Sequence, residues 1–144
     1  MNPFKKDGLI LEDTKVHVKF KMAALWTSAM FCYIYADYFG LYVPGALQTM
    51  LQGKMTAAGP VTQALLLGTS AMMAIPSVMI FLSLALKPNV NRWLNITFGT
   101  LYSLIIVITM WGWAFYVFFG VIEVALTSLV VWHAWNWSTR RSDA

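Results

Sequence analysis

The chain has 144 residues, of which 59% are apolar and 11% charged, against roughly 25% charged in an ordinary soluble domain. A membrane is the implied solvent, and the formal charge of +4 does not point to nucleic acid, because the basic residues cluster at the ends of apolar segments and form no patch with interleaved aromatics. The single cysteine, Cys32, excludes an intrachain disulfide and a cysteine metal site, and within its apolar run it reads as a small buried hydrophobe.

From Asn2 to Lys21 the chain is polar and contains acids, so its start does not read as a cleaved signal, and the first apolar run is expected to stay as a span. Asp13 or Thr14 is placed to cap a helix extending that span into the cytoplasm. The alternating Lys15-Val16-His17-Val18-Lys19-Phe20-Lys21 fits an extended stretch equally well. A span needs about 20 mainly apolar residues to cross a hydrocarbon core of about 30 Å. Residues 20–42, 61–86, 93–111 and 116–137 each satisfy this.

Between the first two spans, Pro44 is placed to start a helix and Gly53 to stop it. Leu47, Met50 and Leu51 share one apolar face there, which predicts a short helix on the outer interface. Gly59-Pro60 punctuates the start of the second span, and Pro76 within it is expected to kink it. The last two spans run together with little polar break, yet one helix over residues 93–137 would be about 67 Å long at 1.5 Å per residue. The chain must fold back, and Trp111-Gly112-Trp113-Ala114 is the natural reversal, with glycine between two interfacial tryptophans.

Basic residues set the orientation. Lys5, Lys6, Lys15, Lys19 and Lys21 precede the first span, Lys87 and Arg92 join the second and third, and Arg140 and Arg141 end the chain, leaving only Lys54 on the other side. Both termini are therefore expected in the cytoplasm. Trp93, Trp132, Trp135 and Trp137 would form the inner aromatic belt, and Tyr38, Tyr42, Trp111, Trp113 and Tyr116 the outer one. The predicted fold class is an all-α integral membrane protein, a four-transmembrane-helix bundle with a short outer interfacial helix, in one domain.

Two acids, Asp37 and Glu123, fall within spans, where a carboxylate is costly unless protonated, paired or hydrated. Counted from the predicted outer ends they sit roughly 8 and 10 Å deep at 1.5 Å per residue. No intramembrane Lys or Arg can partner them, so facing each other they would share a proton or bind a cation. Tyr33 lies one turn from Asp37 and Thr127 one turn from Glu123, giving Asp37, Glu123, Tyr33 and Thr127 as the candidate ion- or proton-binding residues. Thr97, Thr100, Tyr102 and Ser103 add a partly polar stripe and suggest a hydrated, outward-facing cavity. The plainer alternative is that Asp37 reaches the interface or bonds to tyrosines while a neutral Glu123 ties two helices together.

The histidines, His17 and His133, invite a bis-histidine haem reading, but interfacial histidines among tryptophans are ordinary. The chain has no HExxH, CxxC, nucleophile elbow or phosphate loop, which argues against an ordinary hydrolase or nucleotide-driven pump. Ala36 with Gly40 and Gly99 with Ser103 have the spacing of close helix contacts. The nine methionines, Met72, Met73 and Met79 among them, read as gap-filling and lipid-facing residues more readily than as a soft-metal path.

Tyr33-Ile-Tyr-Ala-Asp-Tyr-Phe-Gly-Leu-Tyr-Val-Pro-Gly45 and Phe81-Leu-Ser-Leu-Ala-Leu-Lys-Pro-Asn-Val-Asn-Arg-Trp-Leu-Asn95 carry a resemblance to small bacterial four-span proteins of a family of unknown function, DUF6326. Glu123 and residues 132–137 fit the same pattern, and the resemblance covers nearly the whole chain. The overall plan is similar, more distantly, to DoxX-like membrane proteins, some of which accompany quinone-linked redox enzymes. One departure is the very short outer turn after the third span. The resemblance implies a bacterial inner-membrane location and transfers no mechanism. The leading expectation is a proton or cation pathway, or a proton-coupled small-solute transporter, built on Asp37 and Glu123. The alternatives are a DoxX-like accessory subunit that contacts a quinone, and a structural or regulatory membrane protein. The expected partners are the lipid bilayer, further copies of the chain in a homo-oligomer, and a membrane protein under the redox alternative. No nucleic acid and no resident cofactor are expected.

Overall fold

The computed structural model describes residues 15–55 and 59–137. The expected caps Asp13 and Thr14 and the terminal Lys5, Lys6, Arg140 and Arg141 lie outside these residues. Helix α1 (Val18–Gly40) is followed by the short α2 (Ala46–Leu51) and by two-residue strands β1 (Lys54–Met55) and β2 (Gly59–Pro60), which pair antiparallel. Three long helices complete the chain: α3 (Gln63–Ala85), α4 (Pro88–Thr109) and α5 (Ala114–Trp135). Among the described residues, α3, α4 and α5 are long and apolar enough to cross a membrane. Helix α1 has the length but carries Lys19, Lys21 and Asp37, which dilute its apolar character.

The helix boundaries follow local chemistry. His17 is extended and its Nδ1 accepts from the Lys19 amide at 3.3 Å, so the extended reading of residues 15–21 holds only as far as His17. Gly45, in the left-handed region at φ 82°, precedes α2 and delays its start to two residues after Pro44. The Thr62 hydroxyl caps α3 by accepting from the Leu65 amide at 3.1 Å. Helix α4 begins at Pro88, ahead of the apolar run at Trp93, because proline presets the first helical turn and has no N–H to leave unpaired. The reversal between α4 and α5 falls where Gly112 takes φ 140°, a conformation side chains disfavour.

Helix α1 packs against α3 and α5, α4 packs against α5, and α3 touches α4 more lightly. Close approach of α4 and α5 depends on Gly99, where a Cβ would lie 2.7 Å from Val131 Cγ2 and 3.3 Å from the Thr127 carbonyl. One turn on, the Ser103 and Thr127 hydroxyls meet at 2.7 Å. The core comprises Trp26, Met79, Tyr102 and Val130, with the Trp26 and Tyr102 rings edge to face at 6.1 Å.

Helix α3 runs through Pro76 unbroken. Proline cannot donate to the carbonyl four residues earlier, which belongs to Met72. The Tyr102 hydroxyl of α4 donates to that carbonyl instead. The missing intrahelical bond thus becomes a tie between helices whose other contacts are sparse.

At the end of the molecule where α1 and α4 begin, a second polar layer is fully buried. Asn95 Oδ1 accepts from Trp26 Nε1 at 2.8 Å and from the Ser83 hydroxyl at 3.2 Å, and its amide nitrogen donates to Asn91 Oδ1 at 2.6 Å. Asn91 in turn donates to the Ser83 carbonyl at 2.5 Å. Two basic side chains close the helices that end there. Lys19 Nζ donates to the Leu84 and Leu86 carbonyls at 3.2 and 2.7 Å, and Arg92 to the Trp135 carbonyl at 3.1 Å, placing cations on the negative ends of α3 and α5.

Candidate functional site

At the opposite end, where α1 and α4 stop and α3 and α5 start, the helices enclose a cavity of about 250 Å³. Helix α1 contributes Tyr33 and Asp37 to its wall, α3 Met72 and Met73, and α4 Tyr102 together with Ile105 and Ile106. Ala36 of α1, Thr109 of α4, Met110, which follows α4, and Tyr116, Gly120 and Glu123 of α5 complete it. Two glycines make the wall possible. A Cβ at Gly40 would lie 2.7 Å from the Tyr116 hydroxyl, and one at Gly120 would lie 2.5 Å from Met110 Cβ. Both larger side chains therefore reach the cavity only because their neighbours have no side chain.

The structure brings three of the four candidate residues to this cavity. Asp37 and Glu123 line it together with Tyr33, but the two acids do not sit at equal depth. Asp37 lies three residues before the end of α1 and is exposed, whereas Glu123 lies nine residues into α5 and is only 5% exposed. At 1.5 Å per residue these positions are roughly 4.5 and 13.5 Å from their helix ends. The similar depths expected from the sequence came from placing the span ends two residues later than the helix ends. Asp37 stands at the mouth, and Glu123 lies farther in.

Glu123 Oε1 and the Tyr33 hydroxyl are buried and have no hydrogen-bond partner among the described residues. A carboxyl in that condition costs several kcal/mol, so Glu123 does not tie two helices together through Oε1. Thr127 has a different place. Its hydroxyl donates to the Glu123 backbone carbonyl at 2.8 Å and meets Ser103 of α4, so it fastens α4 to α5 and does not line the cavity. Of the expected polar stripe, Tyr102 and Ser103 turn inward while Thr97 and Thr100 are exposed.

The sequence reading left Tyr116, Met72 and Met73 out of the site. Tyr116 lies in the first turn of α5, at the same end as Asp37, whereas Met72 and Met73 lie at the middle of α3 and carried no positional signal. His17 packs edge to face on Trp137 at 6.1 Å, and His133 on its neighbour Trp132 at 4.9 Å. Among the described residues no group of three or more histidines, cysteines and acids has the arrangement of a metal site.

The three long apolar helices mark a helical membrane protein, and a partly acidic cavity opens between them and α1. The model of a family of unknown function, DUF6326, matches residues 10–143, and the chain belongs to that family. Searches of curated proteins and of solved structures find no match, and the more distant DoxX-like likeness is not shown.

Proposed function

We propose that this protein is a four-span carrier of the bacterial inner membrane, with both termini cytoplasmic, that couples protons to a small solute at the cavity holding Asp37 and Glu123. The observation that carries the reading is the buried, unpartnered Glu123 Oε1 in a cavity shared with a second carboxyl. A carboxyl so placed is stabilised by taking up a proton or a cation, and exchange between the two is the elementary step of coupling.

Helix α1 is the fourth span in this reading. Its 23 residues equal those of α3, and residues 22–36 contain no charge. Lys19 and Lys21 lie at one end, where long basic side chains reach the interface. Carrier is favoured over open pore because the cavity lies at one end only. Trp26, Met79 and Val130 are packed below it and contribute nothing to its wall, and the Asn91–Asn95–Ser83 layer follows. A solute crossing the bilayer must therefore wait for these layers to rearrange.

The test is proton flux in sealed liposomes carrying the purified full chain, driven by a gradient of an added small organic or inorganic cation, beside Asp37→Asn and Glu123→Gln variants of equal incorporation. Flux lost in both variants is the expected result. Equal flux in all three proteins, or none across a range of pH and imposed voltage, would sink the reading.

A further inference from the structure

The composition of the cavity wall narrows the solute. At roughly 30 Å³ per water the space equals on the order of eight waters, far more than one bare inorganic ion fills. A hard cation selects a cage of oxygens; calcium, for example, takes six to eight. Here the wall offers two carboxyls, with the hydroxyls of Tyr33, Tyr102, Thr109 and Tyr116 as its other side-chain oxygens, and among the described residues no group of three or more histidines, cysteines and acids could hold a metal ion. The Tyr102 hydroxyl is committed to the Met72 carbonyl, and the carboxyls stand at different depths. Much of the remaining wall is Met72, Met73, Met110, Ile105 and Ile106. A soft metal ion would use the thioethers and leave both carboxyls idle.

We propose that the cavity binds a small organic ammonium, with its charge against Glu123 and its apolar body against the tyrosine rings and the methionines. This rests on the carrier reading above and names the solute class for the same site. Aromatic faces attract an ammonium group through the ring quadrupole, most strongly where water is excluded. Tyr33, Tyr102 and Tyr116 bring three rings to the cavity, and the Tyr33 and Tyr102 ring centroids are 6.5 Å apart. Methionines supply an adaptable apolar surface for the organic part.

The titratable groups facing the cation are Tyr33 and Asp37 from α1, with Cys32 of the same helix near Glu123, Tyr102 from α4, and Tyr116 and Glu123 from α5, while the α3 side chains contribute thioethers alone. The exchange balances in charge, since one ammonium enters as one proton leaves the carboxyl pair. Binding is therefore tighter at higher pH for an ammonium that cannot itself lose a proton.

The experiment is isothermal titration of the purified full chain in detergent with trimethylphenylammonium, repeated in two buffers of different protonation enthalpy. Saturable binding with proton release is expected. It weakens roughly thirtyfold or more in Glu123→Gln, as for removal of one partner of a buried charge pair, and falls more modestly in Asp37→Asn at the exposed mouth. Tyr33→Phe keeps the ring and weakens binding less than Tyr33→Leu, which loses the ring and weakens it roughly three- to thirtyfold. Each variant is first matched to the native protein in elution and melting, and Asp37→Asn keeps the test decisive if Glu123→Gln does not fold. Equal binding by the two Tyr33 variants, or equal displacement by sodium or potassium, would overturn the proposal. If liposome flux depends on both carboxyls but trimethylphenylammonium neither binds nor inhibits, the organic solute is wrong and the carrier stands. Absence of both flux and binding removes both.

Discussion

Replacing Tyr102 by phenylalanine probes the tie between α3 and α4 at a single atom. Because Pro76 has no N–H, the Met72 carbonyl depends on the Tyr102 hydroxyl. Removing that hydroxyl leaves a part-buried carbonyl unpaired, where a fully buried one loses about 1–3 kcal/mol in proteins generally. Interhelical hydrogen bonds in membranes average nearer 0.6 and reach about 1.7 kcal/mol. With no backbone donor available to Met72, the upper part of the membrane range applies, and Tyr102→Phe is expected to cost about 1.5 kcal/mol. In a Pro76→Ala background the alanine amide donates to the same carbonyl, so the same substitution should cost under about 0.5 kcal/mol, a coupling of about 1 kcal/mol. The four proteins are compared by reversible unfolding in mixed lipid–detergent micelles, where the cycle subtracts whatever Pro76→Ala does by itself. An equal cost of Tyr102→Phe in both backgrounds would refute the reasoning.

Two glycines in the long helices should respond oppositely to alanine. Gly99→Ala pushes a methyl group onto Val131 and the Thr127 carbonyl and should destabilise by about 1–3 kcal/mol, whereas Gly68→Ala meets nothing within 4 Å and should stabilise α3 by about 0.5–1 kcal/mol; melting temperatures compare them. Asn95→Leu strips acceptors from Trp26 and Ser83 together and should cost about 2–4 kcal/mol, read by the same unfolding assay, with a cost below about 0.5 kcal/mol counting against the buried network. For orientation, Lys54→Cys in a Cys32→Ala background should react with a membrane-impermeant maleimide added to intact cells, and Asn89→Cys should react only after the cells are opened. The reverse pattern would invert the topology.

Sequence carried the parts of this protein that depend on local chemistry. Hydropathy found α3 and α5, and the impossibility of one unbroken helix from residue 93 to 137 located the reversal at Gly112. Asp37 and Glu123 stood out because acids are so rare within apolar runs. The start of α4 was missed because apolar content was read ahead of the Lys87-Pro88 start signal. That error left Asn91 in a loop and hid its i, i+4 relation with Asn95, the core of the buried polar layer. Partners across helices depend on how each helix is rotated about its axis. Sequence spacing therefore put Thr127 beside Glu123 correctly along α5, yet could not reveal that its hydroxyl turns to Ser103. The pairing of Tyr102 with the carbonyl freed by Pro76 lies across 30 residues of chain, where no periodicity reaches.

The central claim is that Asp37 and Glu123 act as one site. Its most direct test is the proton-coupled flux of the native protein, the two single variants Asp37→Asn and Glu123→Gln, and the double variant, all in liposomes at matched incorporation. A shared site predicts that each single variant loses nearly as much flux as the double one, since removing either member disables the unit. Independent sites predict losses that multiply, with each single variant keeping a substantial part of the native rate, and that result would contradict the account.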